Sequence, residues 1–230
     1  MTSNAFVQES PSWRGASLLV AVGAIVLGIG LLLGPTPSND SAQALRDIDE
    51  FHTRYVVTNA IGLVGILIMG AGLVTLARLQ MSDHGGATAL IGGVANASGA
   101  VLIALTVVLQ STVDPAAAQR FVVAAPPDQA AMLAIGETVT EFGGAVFGVG
   151  FLLQMIGIAL VAVTFLTGVG PRLNRVFLMV GALLAVGAST MGIGALFEDV
   201  MGDIEALLGL IALAWLIGLC ALLERSRTHR

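Results

Sequence analysis

Glu137 and Glu141 stand four residues apart, so on a helix both carboxylates project from one face. Two like charges in a partly dry setting repel, which raises proton affinity, and a cation relieves the strain. Asp199 and Asp203, with Glu198 and Glu205, form a second acidic group in a short connecting stretch, and His52, Arg54 and Arg120 are the nearest counter-charges. Such a set supports an acidic vestibule, against the plainer reading of solvated surface carboxylates. His52 is also the one imidazole that could join these acids around a metal, although no His-Glu-x-x-His or comparable spacing is present. The remaining polar residues of interest are neutral. Asn59, Asn96 and Gln154 each interrupt a long apolar run, and an amide facing lipid is costly, so all three are expected to face other helices. There they serve as interhelical hydrogen-bonding groups or line a ligand cavity.

The elements that carry these residues follow from composition. Hydrophobic residues make up 56% of the 230 positions and charged residues 11%, against roughly 45–50% and about 25% in a soluble domain. The mean hydropathy is +0.92. A water-soluble globule needs more charge to cover its surface, so the apolar excess is assigned to lipid. A hydrocarbon layer of about 30 Å takes about 20 helical residues. Six uncharged segments meet or approach that length: Ala16 to Gly34, Tyr55 to Ala77, Ala87 to Leu109, Phe142 to Thr167, Val176 to Phe197, and Ala206 to Leu223. The predicted fold is therefore an all-α polytopic membrane bundle forming one domain over residues 1–230. It has a short N-terminal segment (1–15) and a C-terminal tail (224–230). The first span is too long for a secretory signal core, and Ala42-Gln43-Ala44 lies too far beyond it for cleavage, so it reads as a retained helix.

The arginine bias orients the bundle. With both termini cytoplasmic, the inner side carries Arg14, Arg78, Arg172, Arg175, Arg225, Arg227 and Arg230, and the outer side carries Arg46, Arg54 and Arg120. Two helices are then too long for a membrane. After Pro126-Pro127-Asp128, with Asp128 as N-cap, Met132, Ile135, Val139 and Phe142 repeat at helical spacing, so the fourth helix runs from about Gln129 to about Leu166 and is expected to project outward or to bend, with Gly143-Gly144 the natural bending point. Leu45, Ile48 and Phe51 or His52 lead in the same way into the second span at Tyr55. These extensions are expected to bury their apolar stripes against each other as a small outer cap. Small residues four apart, Gly30 and Gly34, Ala95 and Gly99, Gly144 and Gly148, and Ala188 and Gly192, are read as notches for close helix packing.

The inventory also excludes chemistries. All ten basic residues are Arg, so there is no Lys for a Schiff base or a Walker-type phosphate site. Cys220 is the only thiol, which removes intrachain disulfides and Cys-x-x-Cys redox pairs. With His52 outside and His84 and His229 inside, a bis-His haem cannot form within the chain, and no cofactor is expected. A net charge of −5 with scattered Arg argues against nucleic acid. Gly34-Pro35 ending the first helix, the loop before helix two, and Pro171-Arg172-Leu173 before a fifth helix containing Gly181 together resemble a bacterial family of small six-helix membrane proteins classed as a domain of unknown function. The resemblance implies a bacterial inner-membrane location and transfers no functional residues.

Membrane lipid is the expected environment. The leading functional expectation is a non-enzymatic multi-pass protein that binds or passes a small molecule, lipid or cation through a cavity under the acidic vestibule. The alternatives are an accessory or assembly subunit packed on a membrane-protein partner or on a second copy of itself, and, behind it, a metal-dependent membrane hydrolase using His52.

Overall fold

The structure, a computed structural model, describes residues 12–38, 40–81, 86–166, 175–195 and 202–228; the side chains at 186, 188–195, 202–208 and 226–228 lie outside the description. The described residues form seven helices and no strand: α1 (Trp13–Leu33), α2 (Ser41–Glu50), α3 (His52–Gln80), α4 (Gly86–Val123), α5 (Pro126–Leu166), α6 (Arg175–Ala195) and α7 (Gly202–Thr228). Four of them, α1, α3, α4 and α5, are long and apolar enough to cross a membrane. Many of their large apolar side chains point outward, among them Leu32 at 69% exposure and Val101 at 62%, as a lipid-facing surface requires.

Local sequence sets the helix ends. Ser12 caps α1 by accepting from the Gly15 N–H at 3.0 Å, and Gly34 followed by Pro35 closes it. Asp40 caps α2 by accepting from the Gln43 N–H at 2.8 Å. The expected run from α2 into the second span is broken at Phe51, whose φ −102 and ψ 22 leave the helical region. α5 starts at Pro126, three residues before the expected Gln129. The two prolines fit the first helical turn, where no N–H partner is required, so Asp128 sits inside that turn and Ala125 supplies the capping carbonyl. α5 continues as one helix through Gly143-Gly144, the expected bend.

Each sequential neighbour packs antiparallel on the next: α1 on α3, α3 on α4, α4 on α5, α5 on α6, and α6 on α7; α7 returns to α1 and closes a six-helix ring. Two seams in this ring are exceptionally close. A Cβ placed on Gly23 would overlap the Met69 backbone, one on Gly65 would overlap the Leu27 backbone, and one on Gly30 would lie 2.8 Å from the Gly62 nitrogen. On the second seam, a Cβ on Gly99 would lie 2.5 Å from the Gly150 carbonyl oxygen. Backbones that close gain dispersion contacts along their whole length, which is what drives helix association in lipid. Of the expected notches, Gly30 and Gly99 lie in these seams, whereas Gly144 meets open space. The side chains at Ala188 and Gly192 lie outside the described residues. Where α6 meets α7, the Trp215 ring fills the space beside Gly181, stacks on Phe177 at 5.5 Å and donates to the Phe177 carbonyl at 3.0 Å.

One end of the ring carries a cap. Leu45 and Ile48 of α2 bury against Ala117, Ala118 and Phe121 of α4, with Met132 and Leu133 of α5 alongside. The cap thus has a third wall that sequence reading left out. α4 runs fourteen residues past Leu109, and its 38 residues make about 57 Å of helix, nearly twice the hydrocarbon thickness. At the other end, Arg14 lies 3.9 Å from Glu224, so the start of α1 and the end of α7 are neighbours.

Replacing Gly65 with Val should destabilise the bundle by about 2 kcal/mol or more, because the neighbour it strikes is backbone and cannot yield. Gly144→Ala should leave stability unchanged or raise it by about 0.5–1 kcal/mol. Thermal unfolding of both variants in detergent checks this, and a Gly65→Val protein as stable as the parent refutes the seam.

Candidate functional site

A partly open cavity of about 390 Å³ lies between α1, α3, α4, α5 and α7, with the exposed Leu31 and Leu32 on its rim. Its walls are mainly aliphatic and aromatic, including Leu27, Ile66, Ile103, Phe147, Phe151 and Leu213. Three polar side chains reach it: Thr58, Asn59 and Gln154. Thr58 is already engaged, since its hydroxyl donates to the Arg54 carbonyl at 2.8 Å. Gln154 Nε2 is buried without a hydrogen-bond partner, and the Asn59 amide lies beside the Tyr55 hydroxyl. Gln154 is 2% exposed, so water outside the bundle does not solvate its amide.

The seams explain how an amide arrives there. On α5, Gly150 permits the close approach of Gly99, and the same crossing brings the Gln154 backbone and Cβ against Gly99. On α3, Gly62 lies one turn after Thr58 and Asn59; having no side chain, it faces α1 at Gly30 and also borders the cavity. The cavity sits where two small-residue seams hold four backbones in place while leaving side-chain volume between them.

The other expected site residues are distributed elsewhere. Asn96 is fully buried but lies in the α4–α5 seam, where its Nδ2 donates to the Gly92 carbonyl at 2.9 Å and its amide packs on Gly157. Glu137 and Glu141 are exposed on the cap portion of α5 and do not line the cavity. Arg54, expected as a counter-charge, donates instead to the Leu33 carbonyl at 2.7 Å, covering the C-terminal end of α1. His52 is partly exposed at the start of α3, and among the described residues no three His, Cys, Asp or Glu side chains gather closely enough to hold a metal. Asp199 lies outside the described residues, as do Pro171, Arg172 and Leu173; Asp203 is described only as part of α7.

Buried polar residues that the sequence did not single out include Asp114 and Gln80. Asp114 is 5% exposed in the cap wall of α4 and accepts a hydrogen bond from the Tyr55 hydroxyl at 3.1 Å, while its second oxygen has no partner. It lies beyond the apolar stretch that ends at Leu109. Desolvation pushes its carboxyl up to about 6, against the opposing effect of the Tyr55 hydrogen bond. The available signal was register: 114, 117, 118 and 121 share one helical face. Gln80 is also fully buried, and its Nε2 donates to the Val161 carbonyl at 3.2 Å. It continues the face of Leu73, Leu76 and Ala77.

No family model matches the chain, and neither the curated proteins nor the solved structures contain a match.

Asp114 generates a test of its own. A carboxyl whose folded value is raised favours folding while protonated, so its full benefit holds below about pH 4 and is lost as pH rises through about 6. Asp114→Asn keeps an acceptor for Tyr55 without the charge. The stability of the parent relative to this variant should therefore fall by on the order of 2–3 kcal/mol between pH 4 and pH 7 and then level off. A parent-minus-variant difference that stays flat over that range contradicts the buried carboxylate.

Proposed function

We propose that the chain is a multi-pass membrane protein that binds a small, largely apolar molecule in the cavity of its helix ring. The observation that carries this reading is a mainly apolar cavity of about 390 Å³ bordered by the side chains of Asn59 and Gln154. That volume falls in the range of small-molecule pockets, which are mostly apolar with a few convergent polar groups.

This reading shifts the emphasis away from cations. Glu137 and Glu141 belong to a solvated face of the cap, where paired or unpaired surface charges contribute little. Their role is at most to bias what collects near the membrane surface. The full bundle has six membrane-crossing helices, α1 and α3 to α7, with both termini in the cytoplasm and the cap outside, in a bacterial inner membrane. Support for the shared side of the termini comes from the contact of Arg14 with Glu224. Support for the direction comes from the arginine bias.

Two measurements follow. Reporter tags placed at Asn39 and at Ser226 should report opposite compartments, with Ser226 cytoplasmic; identical compartments overturn the topology. For binding, the protein purified in mild detergent should carry a stoichiometric small molecule on solvent extraction and mass spectrometry. Gly209 borders the cavity and a Cβ there meets nothing within 4 Å, so Gly209→Leu adds side-chain volume and should cut ligand occupancy by about tenfold while the fold persists. Recovery of a stoichiometric protein partner with no small molecule would replace this reading with that of an accessory subunit.

A further inference from the structure

The cavity runs along the helix axes. Its lining on α3 extends from Thr58 to Met69 and on α5 from Phe147 to Ile158, eleven residues on in each case, or about 16 Å at about 1.5 Å per residue. That is about half of a hydrocarbon layer of about 30 Å, the depth of a single leaflet. The rim lies toward the cap, where Leu31 and Leu32 are exposed on a helix long and apolar enough to cross a membrane. An acyl chain of the adjoining leaflet is already in contact with that rim, and entering the cavity exchanges lipid neighbours for aliphatic and aromatic ones. An empty apolar void forfeits the dispersion contacts of its lining, and a chain of matching length restores them.

Arg54 stands at the same rim. Its Nε donates to the Leu33 carbonyl at 2.7 Å, one residue past Leu32, and its own carbonyl accepts from Thr58, four residues on and in the cavity lining. The Leu33 bond uses one of five guanidinium N–H donors and fixes the plane of the group. Arg54 is exposed, and among the described residues no carboxylate lies within ion-pair distance of it. Its remaining donors form a fork that matches phosphate oxygens.

We infer that the cavity takes one acyl chain of a membrane phospholipid, inserted from the leaflet on the cap side, with the lipid phosphate held by Arg54. This deepens the proposed function by giving the apolar molecule a chemical class, and it rests on the cavity being a binding site. Size agrees with length. At about 30 Å³ for each water-sized group, 390 Å³ accommodates roughly a dozen methylene-sized groups, which is one chain and not two. The second chain stays in the bilayer against the exposed face of α1, which the open side of the cavity permits.

The test places the full chain in dodecylmaltoside micelles containing phosphatidylglycerol or the diacylglycerol of the same chains, each with a diazirine at the tip of one chain. After irradiation, peptide mapping of the parent should find label at the deep lining, on Met69, Ile158 or Leu216, in preference to outward-facing Leu67 and Val101. Phosphatidylglycerol should label the deep sites about fivefold more than the diacylglycerol, the gain expected for one arginine near lipid phosphate. Arg54→Gln should erase that advantage, and Arg54→Lys should keep most of it. The map needs only the parent chain, so it decides the inference even where a variant fails to fold. Deep labelling by both lipids alike, unchanged in Arg54→Gln, overturns the phosphate assignment. Label confined to outward positions, with some other small molecule recovered by solvent extraction, overturns the acyl chain and leaves the cavity as a binding site. Label confined to outward positions with no small molecule recovered overturns the binding site itself.

Discussion

Backbone contact between paired helices is the constraint on which the rest of the molecule depends. In an apolar solvent the burial of leucine against leucine gains little, because lipid chains offer the same contacts, so association must come from fit. The α1–α3 and α4–α5 seams supply it at Gly23, Gly30 and Gly65, and at Gly99 and Gly150, where any side chain would strike main-chain atoms. Each seam fixes an antiparallel hairpin, and α3 against α4 joins the two. Once four helices are held at backbone distance in pairs, the space between the pairs cannot also close. The side chains that point there, Ile66, Met69, Phe151 and Leu213 among them, ring a void instead of interlocking across it.

The same constraint decides which polar groups matter. An amide on the outside of a seam helix would face lipid, and one inside a seam has no room, as Asn96 shows by turning back to the carbonyl one turn before it. Asn59 and Gln154 sit at seam edges on α3 and α5, where their side chains border the cavity. Carboxylates follow a different rule. Glu137 and Glu141 stay exposed because solvation of a charge outweighs any gain from a neighbour in the cap, whereas the buried Asp114 holds its proton more tightly as a result.

How much of this was legible in the sequence depends on whether a signal was local. The all-helical architecture, the length of the fourth long helix and the pairing of Leu45 and Ile48 with residues near Met132 follow from periodicity, which one chain segment displays by itself. The α4 extension was illegible because Gln110, Ser111, Thr112 and Asp114 interrupt the apolar run and Pro115 marks a helix end in most contexts; here Ala117, Ala118 and Phe121 bury against α2 and hold the helix together through it. Phe51 illustrates the reverse case. A continuous periodic pattern across residues 45–55 is cut by a break that only the packing of α2 across the cap requires. For the candidate site, the amides could be named from their cost in lipid, but not sorted. Asn59 and Gln154 face a cavity and Asn96 does not because of where the glycines of two different helices meet, and that is a property of the pair.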